Sequence, residues 1–178
     1  MSTSQGKRFE REFNSSVTNA DGAYGVLCRI TDKVFNDGFG HMKSEESVAD
    51  FWWFIPRVSL HCILVECKAT STKRITFASL AEHQKVSLRD HESLHEAAHG
   101  VVAVNVYDPL DKRHVNRLFI IPIDVWCEYE SGEKKSIALK SLEEDDRIFE
   151  CPRVKGSIWD LSKYVAIYNQ GRNNGTEE

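Results

Sequence analysis

No apolar stretch in this 178-residue chain approaches the roughly 20 residues that a membrane-crossing helix needs. The opening residues, Met1-Ser2-Thr3-Ser4-Gln5-Gly6-Lys7, also lack the hydrophobic stretch of a secretory signal. A soluble, cytoplasmic protein without membrane association is therefore expected. Internal repeats and low-complexity tracts are missing as well. A cysteine framework is missing too: Cys28, Cys62, Cys67, Cys127 and Cys151 are odd in number and scattered. Reduced thiols in or near the core fit this pattern better than disulfides or a zinc cluster. Basic charge is not in excess, since 23 Lys and Arg stand against 27 Asp and Glu, a formal net charge of -4. That balance is unlike a strongly DNA-binding domain. The acids gather in Glu143-Glu144-Asp145-Asp146 and Glu177-Glu178, however, whereas Lys7, Arg8, Arg11, Lys73 and Arg74 form local basic groups. Binding follows the field over one face and not the sum.

What is present suffices for one sizeable core, with 41% hydrophobic residues. One domain over residues 1–172 is expected, with a polar tail at 173–178. Phe9 and Phe13 lie one helical turn apart among charged neighbours, which predicts an opening helix over Gly6–Val17. Strands are predicted at about Gly25–Thr31, Asp50–Ile55, Leu60–Val65, Gly100–Tyr107 and Arg117–Ile123. Turns are predicted at Pro56 and at Asp108–Asp111, a helix over Phe77–Leu94, and a terminal helical segment over Leu161–Tyr168. Residues 33–48 read as a polar insertion: a loop, a short hairpin or a protruding arm. Val125–Glu130 reads as a short helix or strand, followed by a turn at Ser131–Lys135. The order α-β-β-β-α-β-β is that of an α/β fold, a central mixed β-sheet flanked by helices.

Chemistry concentrates at Asp50 and at the strand that ends in Glu66-Cys67-Lys68. Side chains alternate along a strand, so Glu66 and Lys68 share one face while Cys67 points away and offers its carbonyl. Two carboxylates and a carbonyl make a hard oxygen site suited to Mg²⁺ or Mn²⁺. A lysine beside such an ion polarises an attacking water or a phosphate. The plain alternative is a half-buried strand with a solvated Glu and Lys at its end.

Asp50, Glu66 and Lys68 at this spacing carry the signature of the PD-(D/E)XK nuclease superfamily. The chain resembles, nearly end to end, the RecU-type Holliday junction resolvases within it. Gly6-Lys7-Arg8-Phe9-Glu10 resembles that family's opening-helix motif, Asp50-Phe51 its metal aspartate and following aromatic, and Glu66-Cys67-Lys68-Ala69-Thr70 its Glu-Ala-Lys-Glu-Thr-like strand. Phe77, Leu80 and His83-Gln84 are similar to its Phe-Pro-Leu…His-Gln helix. Gly132-Glu133-Lys134-Lys135-Ser136-Ile137, followed by Leu142-Glu143-Glu144, resembles its Gly-Arg-Lys-Ser-Ile…Leu-Glu-Glu segment.

The resemblance implies a restriction-endonuclease-like domain and a homodimer that nicks a four-way DNA junction symmetrically with Mg²⁺. A recombination or branch-migration protein is the kind of further partner it implies. Asp50 and Glu66 would be metal ligands and Lys68 the catalytic lysine. Glu10 would reach the metal shell from the opening helix, and Gln84 would orient metal-bound water or the lysine. The chain departs from the family in three places. Trp52-Trp53-Phe54 follows Asp50-Phe51 where a glycine is usual, the basic N-terminal arm of longer members is missing, and the 33–48 insertion is shorter than the family's stalk.

Several residues carry two readings. Glu10 is either a metal-shell residue or a helix-surface partner for its basic neighbours. Lys73 and Arg74, with Thr70 in a Ser/Thr-rich loop, suit phosphate contact as well as a solvated turn, and Lys7, Arg8 and Arg11 extend the basic groups. His91-Glu92-Ser93-Leu94-His95 spells H-E-x-x-H, a zinc pattern if helical. With no convincing third ligand, His91, His95 and His99 read better as a solvated helix end. Trp52 and Trp53, adjacent on a strand, must face opposite ways, one to the core and the other to an interface or a stacked base.

Overall fold

The computed structural model describes residues 3–20, 24–36, 42–45, 47–56, 60–107, 116–155 and 158–168. In chain order the elements are α1 (Thr3–Thr18), β1 (Val26–Arg29), β2 (Lys33–Asn36), β3 (Met42–Glu45), β4 (Phe51–Pro56), β5 (Leu60–Thr70) and β6 (Arg74–Thr76). They continue with α2 (Glu82–Glu92), β7 (Ala98–Tyr107), β8 (Asn116–Pro122), α3 (Ile123–Glu130), β9 (Ser136–Ala138) and α4 (Leu139–Glu144). The chain ends in β10 (Phe149–Cys151), β11 (Arg153–Lys155), β12 (Ile158–Trp159) and α5 (Ser162–Ile167).

A six-stranded mixed sheet, ordered β1-β4-β5-β7-β8-β10, forms the centre, and helices flank it. The fold is α/β, as the sequence leads one to expect. β5 and β7 pair in parallel, bridged by α2, and the other neighbours are antiparallel. Period-two alternation splits the strands between two cores. Phe51, Trp53 and Ile55 of β4, with Ile63 and Val65 of β5, join Phe9, Phe13 and Val17 of α1 and Tyr164 and Val165 of α5. On the opposite face Leu64, Val102, Val104, Phe119 and Ile121 pack with Leu88 of α2, Ile123, Val125 and Trp126 of α3, and Leu142 of α4. The adjacent tryptophans obey the same rule. Trp53 is fully buried in the first core, and Trp52 sits edge-on to His91, ring centroids 4.9 Å apart.

α2 lies unusually close to the sheet. A Cβ on Gly100 of β7 would come within 2.4 Å of the Leu88 carbonyl oxygen, so glycine is required for helix and strand to meet there.

Several boundaries differ from expectation. Phe77–Ser79 is a 3-10 turn, and α2 begins only at Glu82, because the apolar Phe77 and Leu80 dock into the core without continuing a helix. β5 runs on to Thr70, absorbing the first two residues of the polar loop expected over 69–74 through pairing with β7. The insertion contains the hairpin of β2 and β3, and Val125–Glu130 is helical within α3. Short strands β6, β9, β10, β11 and β12 carried no readable periodicity. The predicted turn at 108–111 and the tail at 173–178 lie outside the described residues, as does the chain just beyond Pro56. No described helix is long and apolar enough to cross a membrane.

Candidate active site

The antiparallel pairing of β4 with β5 matches Phe51 to Val65, and the Asp50 amide donates to the Val65 carbonyl oxygen at 3.1 Å. Asp50, the residue just before β4, thus lies beside the end of β5 that carries Glu66. Glu66 faces α2, and Asp50 lies close enough for its charge to act on the Glu66 carboxyl. Beyond Asp50 the β4 partner is gone, and the Cys67 amide donates to Asp50 Oδ2 at 2.8 Å. The amide and carbonyl of one strand residue point to the same edge, so the Cys67 carbonyl faces the Asp50 side. The Cys67 thiol turns to the first core.

Lys68, next on the Glu66 face, places Nζ 2.6 Å from Glu66 Oε1 and 3.1 Å from Gln84 Oε1. Gln84 Nε2 in turn donates to Glu66 Oε1 at 2.8 Å. The late start of α2 explains this reach, because Gln84 falls in its first turn. There its Oε1 also accepts from the otherwise unpaired Ala81 amide at 3.2 Å, fixing the side chain. Glu66 is almost fully buried, and its second oxygen, Oε2, has no hydrogen-bond partner. Burial, aided by the Asp50 charge and opposed by Lys68, pushes the Glu66 carboxyl up to about 7. Burial raises Asp50 too, against the lowering effect of the Cys67 amide.

A buried carboxylate oxygen without a donor, beside a second carboxylate, fits a cation better than it fits an empty core. The donor set of Asp50, Glu66 Oε2 and the Cys67 carbonyl is all oxygen, as Mg²⁺ or Mn²⁺ requires. Among the described residues no three His, Cys, Asp or Glu side chains form a metal-holding group. A cation here would complete its shell with the carbonyl, water and phosphate.

Glu10 sits on α1 at the rim, where its charge acts on Asp50, but its carboxylate is bonded to Arg29 Nη2 at 2.5 Å. Arg29, at the end of β1, is a neighbour that sequence reasoning missed. The alternating strand pattern flagged β1, yet nothing in the spacing shows that β1 joins β4 beside Asp50. On α1, Lys7, Arg8 and Arg11 are exposed, with Arg8 paired to Glu12 at 2.8 Å and Arg11 Nε donating to the Lys7 carbonyl at 3.3 Å. Thr70 is buried, and its hydroxyl donates to the Arg74 carbonyl at 3.0 Å, closing the turn that presents Lys73. Lys73 and Arg74 are exposed, Arg74 as the first residue of β6.

The histidine pattern is not a solvated helix end. α2 stops at Glu92, so His91 and His95 do not share a helix. His91 is buried, with Nε2 2.9 Å from the Cys62 carbonyl oxygen. His99 belongs to β7, lies on the opposite face and has a ring nitrogen 3.1 Å from His61. In comparison with known proteins, no family model matches this chain, and no curated protein matches it.

Proposed function

We propose that this chain is a metal-dependent endonuclease of the PD-(D/E)XK type, hydrolysing DNA phosphodiesters. The observation that carries the reading is the unpartnered Glu66 Oε2 beside Asp50, with Lys68 held on the other oxygen of the same carboxylate. The α/β sheet and the α2 side chain reaching Glu66 support it further. Asp50, Glu66 and the Cys67 carbonyl would hold a Mg²⁺ or Mn²⁺ ion, which would supply positive charge toward a phosphate and lower the pKa of a bound water. Lys68, tethered by Glu66 and Gln84, presents its ammonium to the attacking oxygen or to the charge that develops on the phosphate. Gln84 braces the pair from both sides, accepting from the ammonium and donating to the carboxylate.

The finer reading is a resolvase of four-way junctions, acting as a homodimer in the cytoplasm. Two opposed nicks match a two-fold assembly on a junction of like symmetry. It rests on the RecU-type motifs from Gly6 to Glu144. The test is strand-specific nicking of a synthetic four-way junction and a matched linear duplex, with Mg²⁺, Mn²⁺ or EDTA, for wild type and Asp50→Asn. Paired metal-dependent nicks confined to the junction and lost in Asp50→Asn are expected. Equal cutting of both substrates would leave a general nuclease, and binding without cutting would overturn the enzymatic reading.

A further inference from the structure

The site has two cations, and they differ in kind. Lys68 is enclosed, 17% exposed, and committed to Glu66 and Gln84. Arg29 stands on the other side of Asp50, on the α1 face, with 53% of its side chain open to solvent. Three features hold it in place. Glu10, only 14% exposed, binds Nη2, and the guanidinium carbon lies 5.8 Å from the Phe51 ring centroid. The amide of the next residue, Ile30, donates to the Asp50 carbonyl oxygen at 2.9 Å, which fastens the end of β1 to the residue that starts the site.

A guanidinium carries five donors in a planar fork that matches phosphate oxygens, and Glu10 occupies one edge of it. An exposed arginine held rigid at the rim of an acidic pair has a further use. It offsets repulsion between the acids and an incoming polyanion. We propose that Arg29 grips a phosphate of the nucleic-acid backbone next to the cleaved bond, with Glu10 as the positioning carboxylate that aims it. The inference rests on the nuclease reading. It gives Glu10 work that requires no place among metal ligands, and it sets the substrate between a phosphate clamp on the α1 face and the lysine on the α2 face.

The test compares wild type, Asp50→Asn, Arg29→Ala, Arg29→Lys and Glu10→Gln. Affinity for a labelled four-way junction is measured against salt in Ca²⁺, and single-turnover nicking is measured in Mg²⁺. Arg29→Ala should lower the slope of log affinity against log salt by about one and slow nicking roughly 10- to 100-fold. Arg29→Lys should recover the salt slope but only part of the rate, since the point charge survives and the fork does not. Glu10→Gln should slow nicking with the slope retained. Wild-type affinity, slope and rate in Arg29→Ala would overturn the proposal, as would a slope in Arg29→Ala that matches wild type while its rate matches Glu10→Gln. The underlying nuclease reading fails separately: wild type would not cut at all, and Asp50→Asn would be indistinguishable from it.

Discussion

At the scale of single residues, Glu66 sets the terms. Its carboxyl is pushed up to about 7 by burial, against an ordinary 4.5, so the folded protein holds a proton there that the unfolded chain has released. Between those two values the native state binds more protons. Stability from this group is therefore fully present below about 4.5 and is lost as pH rises through about 7. Glu66→Gln should remove that dependence, leaving the metal-free variant about 2 kcal/mol more stable than wild type at pH 8 and nearly equal at pH 4. Mg²⁺ should raise the wild-type melting temperature more at pH 8 than at pH 5, and leave Glu66→Gln unmoved. Thermal melts across pH check both statements, and a variant that tracks wild type at every pH would show that the carboxyl is not strained. Much at this scale was legible. Strand alternation alone puts Glu66 and Lys68 on one face. The approach of Asp50 to Glu66 was not, because it depends on a pairing of β4 with β5 that the fifteen intervening residues do not encode locally.

Elements position these residues, and the seat of α2 on the sheet depends on one close backbone approach. Gly100 lets the Leu88 carbonyl approach the strand, and the helix so seated carries Gln84 onto Glu66 and Lys68. A methyl at Gly100 meets backbone, not a flexible side-chain tip, so Gly100→Ala should lift α2. The expected cost is about 1–3 kcal/mol of stability and a loss of catalysis on the order of 100-fold, since a displacement near 1 Å at the reacting groups suffices for that. Denaturant unfolding paired with single-turnover nicking measures this, and wild-type values in both would remove Gly100 as the determinant. The element boundaries were the less legible part. Phe77 and Leu80 continue an apolar spacing that mimics a helix, yet the helix starts at Glu82, and that late start is what puts Gln84 in the first turn. Strands of two or three residues, such as β10 at the sheet edge, are too short to show a period at all.

At the scale of the whole molecule, the α/β layering follows from composition and from the alternation of apolar strands with amphipathic helices. The division into two cores follows from the two-residue period of β4, β5 and β7. The histidines escaped such reasoning because the decisive fact is where α2 ends, which sends His91 into one layer and His99 into the other. The sheet is also shorter on one side than its longest strand. β4 begins at Phe51 while β5 continues to Thr70, and the amide of Cys67 would be left without a neighbour but for the Asp50 carboxylate. Asp50 is thus a plug on an open sheet edge as well as an acid. An edge with free amides recruits strands from other molecules, so removing the plug has a consequence unrelated to chemistry. Asparagine keeps an oxygen for the Cys67 amide, and alanine does not. Asp50→Ala should therefore self-associate on storage where Asp50→Asn stays monodisperse or retains its native assembly, a contrast that light scattering resolves. Equal scattering from the two would show that the edge is closed by other means. If the contrast holds, inactivity of the alanine variant measures colloidal loss as much as missing charge.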